Sequence, residues 1–173
     1  MKYLLVAGMI LLMISACHPA KKEIKNYYAN NGRALVQEQD AGGVAVKATY
    51  LPVQWERILG RKNPDAEGEI TFKLNVALPA SARNDKTVMP AVSVDTLFWL
   101  VAGSDTLAAQ FTQRIPNGST SSAEYLTTFK RAVPSGTEVL YFVMNDWIYT
   151  HHKLVFPFQV AHINSIDSLS SRL

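Results

Sequence analysis

The stretch EITFKLNVAL, residues 69–78, shows the most regular alternation of apolar and polar side chains in the chain. Its apolar side chains fall on every second residue: Ile70, Phe72, Leu74, Val76 and Leu78. Because successive side chains of a β-strand point to opposite faces of the sheet, this spacing predicts a strand with one buried and one solvated face. A strand of this kind must pack its apolar face against a second layer, which limits the chain to a small set of sheet architectures.

Further strands are predicted along the rest of the chain. They lie at VAVKATYL (44–51), at two segments of 95–113 joined by a turn at 102–105, and at AEYLTTFKRAV (123–133), EVLYFVM (138–144) and KLVFPFQVAHI (153–163). Loops rich in Gly, Pro, Asn and Ser separate them, as expected of turns. Pro157 favours an edge position or a bulge for the last strand, because proline has no N–H for the sheet ladder.

Helical signals are scarce. The best is PVQWERILG, residues 52–60, with Pro52 at a first helical position, Gly60 at the exit, and Trp55 and Leu59 one turn apart. The pattern predicts an all-β chain, an antiparallel β-sandwich of about seven strands with one short helix. An immunoglobulin-like arrangement is preferred and a small β-barrel is the alternative. The cysteine pair around a tryptophan that marks antibody domains is absent.

Length and charge narrow the class of protein. The 173 residues are enough for one domain, and 48% hydrophobic residues are typical of a globular chain. The formal net charge is +3, and no run of Lys and Arg exceeds two residues, so no nucleic-acid partner is predicted. No glycine-rich loop that would cradle phosphates is present, and no cofactor is predicted. One cysteine excludes an intramolecular disulfide.

The N-terminal segment has the layout of a secretory signal. Lys2 precedes an apolar run, LLVAGMILLMI, at residues 4–14, which is too short to span a bilayer. The run is followed by Ser15, Ala16 and then Cys17, and the sequence ISAC resembles the lipobox of bacterial lipoprotein precursors. The resemblance implies cleavage after Ala16, a diacylglyceryl group on Cys17, and a palmitate-type acyl chain on the new N-terminus.

The resemblance also implies a cellular location. Two or more acyl chains anchor a protein stably, so the membrane is a predicted partner and the cell envelope the predicted location. His18 follows the cysteine in place of the aspartate of an inner-membrane retention signal, which favours the outer membrane. The chain then divides into a signal peptide (1–16), a lipidated cysteine with a polar tether (17–40), a β-sandwich domain (41–163) and a polar C-terminal tail (164–173).

The segment NDWIYTHHK, residues 145–153, is the strongest candidate for ligand binding, with an ordinary connecting loop as the alternative. Aromatic rings and hydrogen-bonding tips between two strands suit a sugar or a peptide. The candidate ligand-binding residues are Asp146, Trp147, Tyr149, His151 and His152. No metal site is predicted, because adjacent residues on a strand point to opposite faces, and both histidines could reach one ion only from an irregular backbone.

Three short triplets are candidates for modification. DTL occurs at Asp95 and Asp105, and DSL at Asp167. They resemble Asp-Ser/Thr-aliphatic sites that some envelope-rich bacteria O-glycosylate, which makes Thr96, Thr106 and Ser168 the candidate acceptors. Ordinary turn chemistry is the alternative for the first two.

No catalytic residue is predicted. The chain has no G-x-S-x-G motif, and a lipidated Cys17 cannot act as a thiolate nucleophile. The preferred function is a non-enzymatic binding or accessory module of the envelope, with a protein or glycan as its partner. Two alternatives stay open: a surface-attached glycan or peptide hydrolase whose carboxylates are brought together by folding, and a structural subunit of an envelope complex.

Overall fold

In the computed structural model, residues 19–58, 64, 66–79, 94–119 and 121–173 are described. The strands are β1 (Val36–Ala41), β2 (Val44–Leu51), β3 (Glu69–Ala77), β4 (Phe98–Ala102), β5 (Asp105–Ala108), β6 (Phe111–Ile115), β7 (Ser122–Lys130), β8 (Val139–Asn145) and β9 (Lys153–Gln159). The helices are α1 (Pro19–Leu35), α2 (Trp55–Ile58) and α3 (Val160–Ser170).

The strands form two antiparallel sheets. The five-stranded sheet has the order β1-β2-β3-β7-β6, and the four-stranded sheet has the order β5-β4-β8-β9. This is the predicted sandwich, and within the described residues the sheets do not close into a barrel. β9 is an edge strand, as predicted from Pro157.

The core between the sheets is built from aromatic rings. Phe72 of β3 lies with its ring centroid 4.6 Å from that of Phe142 on β8, and Phe98 and Phe129 pack against the same ring of Phe142. All four rings are fully buried. The alternation in residues 69–78 therefore has the predicted result, because every second side chain of β3 enters this core.

The described part of the chain has nine strands where the sequence predicts about seven, and one of the two additional strands is β1. It lies in the segment predicted to be a tether and pairs with β2 through a two-residue turn at Gly42 and Gly43. Both glycines have positive φ, 65° and 81°, which a type I′ hairpin turn requires. The Gly-Gly pair was a usable signal, but the polar sequence VQEQDA of β1 obscured it.

The other additional strand comes from a change of sheet. The second strand predicted within 95–113 is in fact two: β5 pairs with β4, and β6 pairs with β7 in the opposite sheet. At the crossing, the Gln110 N–H donates to the Thr128 carbonyl at 2.8 Å. The sequence LAAQF, residues 107–111, has no glycine or proline at the crossing, so the local pattern carries no sign of it.

Residues 19–35, predicted as part of a polar tether, form helix α1. Ala20 and Ile24 are buried, and Tyr27 and Tyr28 pack against the core, so the inward side chains fall at helical spacing. The Tyr27 hydroxyl is 2.9 Å from Nδ1 of His162 on α3, and the Tyr28 hydroxyl donates to the Tyr50 carbonyl at 2.7 Å. The tether interpretation is therefore wrong for this segment, which is a packed part of the domain.

The polar tail predicted at 164–173 is also wrong, because α3 continues to Ser170. Ile163 and Ile166 are buried in the core, and Asp167 and Ser170 are buried beside them. Polar residues on the inward side of the helix concealed its amphipathic pattern in the sequence. The strand predicted to reach residue 163 ends at Gln159.

Asp167 fastens α3 to the five-stranded sheet. The hydroxyl of Tyr50 lies 2.8 Å from both carboxylate oxygens, Nη2 of Arg131 lies 2.7 Å from Oδ2, and the Val53 N–H donates to Oδ1 at 3.0 Å. Burial, with the charge of Asp167 second, raises the pKa of Tyr50 well above its ordinary value, so the hydroxyl remains a donor. We call Tyr50, Arg131 and Asp167 the α3 clamp.

We expect Asp167→Ala to lower the free energy of unfolding by about 3 kcal/mol, because the substitution leaves the partly buried Arg131 charge without its partner. Ser168→Ala is the matched control, since its side chain is exposed on the same helix and its removal falls within about 0.5 kcal/mol. Urea denaturation measures both. Equal midpoints for the two variants would contradict a stabilising clamp.

Candidate functional site

The β8–β9 loop, residues 146–152, is organised by Asp146. Its carboxylate is buried and accepts from the N–H groups of Ile148 (2.9 Å), Tyr149 (3.0 Å) and Thr150 (2.7 Å), and from the Thr150 hydroxyl (2.7 Å). The Asp146 N–H donates to the carbonyl of His152 at 3.0 Å and closes the loop. The buried carboxylate of Asp146 therefore fixes the backbone conformation of the loop.

Tyr149 also has a structural position. Its hydroxyl lies 2.7 Å from the hydroxyl of the buried Tyr125 on β7, in the opposite sheet. Burial raises the pKa of Tyr149, and the hydrogen bond to Tyr125 adds to the shift. The pKa of Tyr125 is raised by burial as well. Both rings thus stay neutral and tie the loop to the five-stranded sheet.

The remaining candidates of the loop face solvent. Trp147 is 53% exposed, and His151 and His152 are exposed beside it. With Asn145 and Lys153 they line a shallow depression of about 350 Å³. Among the described residues, no three His, Cys, Asp or Glu side chains are placed to hold a metal ion. Of the five residues predicted for ligand contact, four line this depression, Trp147, His151 and His152 at the surface and the buried Asp146 beneath them. Tyr149 does not line it and supports the loop from inside.

His151 has a φ of 56°, in the left-handed region where a side chain costs about 1 kcal/mol. We expect His151→Gly to raise the free energy of unfolding by up to about 1 kcal/mol. His152→Gly is the matched control and should lower it by about 0.5 kcal/mol, because its φ is not in that region. Thermal and urea unfolding measure the difference; a loss of stability in both variants would contradict strain at His151.

The outer face of the four-stranded sheet carries two further exposed rings. Trp99 on β4 is 37% exposed and Tyr141 on β8 is 41% exposed. Trp99 pairs with Val143 on β8, and Tyr141 and Asn145 lie two residues before and two residues after Val143. Trp99, Tyr141, Val143 and Asn145 therefore share one side of the sheet. Asn145 also lines the depression beside Trp147. We call the surface formed by Trp99, Tyr141 and Trp147 the aromatic face.

A second depression lies on the outer face of the five-stranded sheet, and we call it the outer cleft. Its volume is about 370 Å³. Aromatic, carboxylate, amide and small side chains line it: Trp55, Glu56, Glu69, Thr71, Gln110, Phe111, Gln113, Leu126 and Thr128. Thr71 pairs with Thr128, and Thr128 pairs with Phe111, so three strands place these residues in one row.

The row explains the shape of the outer cleft. The small side chains of Thr71 and Thr128 form a low floor and lie 3.3 Å apart at their hydroxyls. Phe111 rises at one end of the row, and α2 supplies Trp55 on the cleft wall. The site could not be recognised in the sequence, because the row exists only once the register of three strands is known.

The wall of the outer cleft is held by α3. The Val53 N–H donates to Asp167, and the Gln54 N–H donates to the Ser170 hydroxyl at 3.5 Å. These contacts fix the two residues that precede Trp55. The α3 clamp therefore positions one side of the cleft as well as stabilising the fold.

The residues predicted for modification are separated in the structure. Thr96 lies in a 3₁₀ turn at 94–97, Thr106 lies in β5, and Ser168 lies in α3. All three are exposed, but Asp167, which precedes Ser168, is buried in the α3 clamp. The predicted lipidation site, Cys17, lies outside the described residues.

Comparison of the chain with protein-family models, with curated proteins and with solved structures gives no match. Within the part of the chain that the structure describes, no helix has the length and apolar character needed to cross a bilayer.

Proposed function

We propose that this protein is a non-enzymatic accessory module of the cell envelope that is anchored through Cys17 and binds a protein partner through its aromatic face. The observation that carries the proposal is that the exposed rings of Trp99 and Tyr141 share the outer side of one sheet. Asn145, on the same side, shares a depression with the exposed ring of Trp147. Exposed aromatic clusters mark interaction surfaces, and Trp and Tyr are the residues most enriched where partners bind.

The sequences of the central strands support this proposal. FWLVA in β4 and VLYFV in β8 are apolar on both faces, a pattern typical of strands that are covered on both sides. Their inward residues fill the core, and their outward residues include Trp99, Val101 and Tyr141. A partner on the outer side would cover these residues and remove their apolar surface from water.

The edges of the sheet favour binding at the face over addition of a strand. At the β9 edge the carbonyl of Val155 already accepts a hydrogen bond from Gln39 at 2.6 Å, and Pro157 has no N–H to offer. At the other edge β5 is four residues long. Neither edge offers the long ladder that a bound strand would need.

For the fold we propose an immunoglobulin-like sandwich. Every strand pair is antiparallel, and the chain passes between sheets at β5–β6. These features are typical of that arrangement.

The anchor is tested with Cys17→Ser expressed in the native host beside the wild type and Ser15→Ala, which keeps a small residue before the cysteine. We expect Cys17→Ser to lose fatty-acid labelling and to leave the membrane fraction, because acyl chains supply the membrane affinity. Ser15→Ala should keep both. A membrane-bound Cys17→Ser protein and an unlabelled wild type would contradict the anchor.

Binding at the aromatic face is tested by photo-crosslinking in living cells. A photoreactive phenylalanine analogue at Tyr141 should give an adduct of one discrete mass, and Trp99→Asp in the same chain should weaken that adduct about tenfold. The control position is Lys47, which is exposed on the opposite sheet. Equal adducts at positions 141 and 47, or none at 141, would contradict binding at this face.

A second candidate function, hydrolysis of a glycan, is favoured by one observation. Glu56 and Glu69 line the same cleft, and a pair of carboxylates is what glycoside hydrolysis requires. Release of reducing ends from oligosaccharides by the purified protein, abolished by Glu69→Gln, would support this candidate. O-glycosylation at Thr96, Thr106 or Ser168 stays a prediction, and the intact mass of the native protein tests it.

A further inference from the structure

We infer that the outer cleft is a binding site for one or two rings of a neutral saccharide. It is a different surface from the aromatic face, so the inference does not depend on the proposed protein partner. The outer cleft is lined by Trp55, Phe111 and a set of polar side chains on the outer side of the five-stranded sheet.

The aromatic side chains of the cleft are the first reason. Phe111 is 52% exposed on the edge strand β6, whose other side chains include no aromatic ring. Trp55 is half-buried and presents part of its indole to the same space. Aromatic faces pack well on flat groups that carry C–H bonds, and sugar rings have such faces.

The polar side chains of the cleft are the second reason. Gln110 and Gln113 are exposed amides at the β6 side, and each offers both donors and an acceptor. Glu56 and Glu69 add carboxylate acceptors from the α2 side and from β3. These hydrogen-bond donors and acceptors lie around the rings of Trp55 and Phe111, and they match the hydroxyl groups at the edge of a sugar ring.

Charge and size narrow the ligand further. The carboxylate of Glu56 would repel an acidic sugar or a phosphate, which favours a neutral saccharide. A volume of about 370 Å³ lies at the small end of ligand sites, so the cleft itself accommodates a short saccharide or one end of a longer chain. The floor consists of two small threonine side chains, which leaves the space above it open to a ring.

The structure of the floor makes the site preformed. The Thr71 and Thr128 hydroxyls bond each other, and both side chains are almost fully buried although they lie on the outer side of the sheet. On the wall, α2 is fixed by the contacts of Val53 and Gln54 with α3. The floor and the α2 wall are therefore in place before a ligand binds, which favours affinity for a small molecule.

The test uses the full-length protein in a detergent that has no sugar headgroup. Cellobiose, maltose and the disaccharide of N-acetylglucosamine are titrated, with binding followed by isotope-edited NMR of the protein and saturation transfer to the sugar. We expect at least one disaccharide to bind. Phe111→Ala should weaken it about tenfold and Gln113→Ala about threefold, since both side chains line the cleft.

Trp147→Ala is the matched control, because Trp147 is an equally exposed ring on a different surface. It should change saccharide affinity less than twofold. Both ring variants are exposed positions, and a urea unfolding curve for each confirms that the fold is retained. Putrescine is titrated in parallel, since two carboxylates could instead hold a diamine.

Three results would overturn the inference: no binding by any of the disaccharides, binding that survives Phe111→Ala but is lost in Trp147→Ala, or binding of putrescine alone. None of these bears on the crosslinking at position 141. Conversely, a failed crosslink leaves the saccharide titration intact, so the two proposals fail separately.

Discussion

The buried carboxylate of Asp167 is the interaction on which the rest of the structure depends. It joins a C-terminal helix to a tyrosine of β2, to an arginine at the end of β7 and to the backbone before α2. Through Tyr50 and Arg131 it holds α3 against the five-stranded sheet, and through Val53 it fixes the backbone that leads into the wall of the outer cleft. A charge that is taken out of water must be paired, so the geometry around it is strictly determined.

The strands of the sandwich could be predicted wherever apolar and polar side chains alternate within a single segment of the sequence. Residues 69–78 are the clearest case, because the buried face can be identified without knowing the neighbouring strands. Helices α1 and α3 could not be identified in the same way. Their inward sides include Tyr27, Tyr28 and Asp167, which are favourable there only because partners from distant parts of the chain satisfy their polar atoms. Local polarity therefore indicated a tether and a tail.

The candidate sites show the same limit. The composition of residues 145–153 identified a loop with ligand-like chemistry, and Trp147, His151 and His152 lie together at its surface. The composition could not separate these residues from Asp146, whose polar side chain holds the loop from inside. The outer cleft was beyond prediction, because its floor is a row that exists only once the register of three strands is known, and its wall comes from α2.

Helix α1 has a consequence for how far an anchored protein can reach. It starts at Pro19, two residues after Cys17, and two residues of extended chain cover at most about 7 Å. If the protein is held by lipid at that cysteine, almost no linker separates the lipid from the folded domain. The sandwich would then lie close to the bilayer surface. Exposed Lys21, Lys22 and Lys25 at the start of α1 would then meet the headgroups. If Cys17 carries the proposed lipid, a partner would therefore meet the domain at the membrane surface.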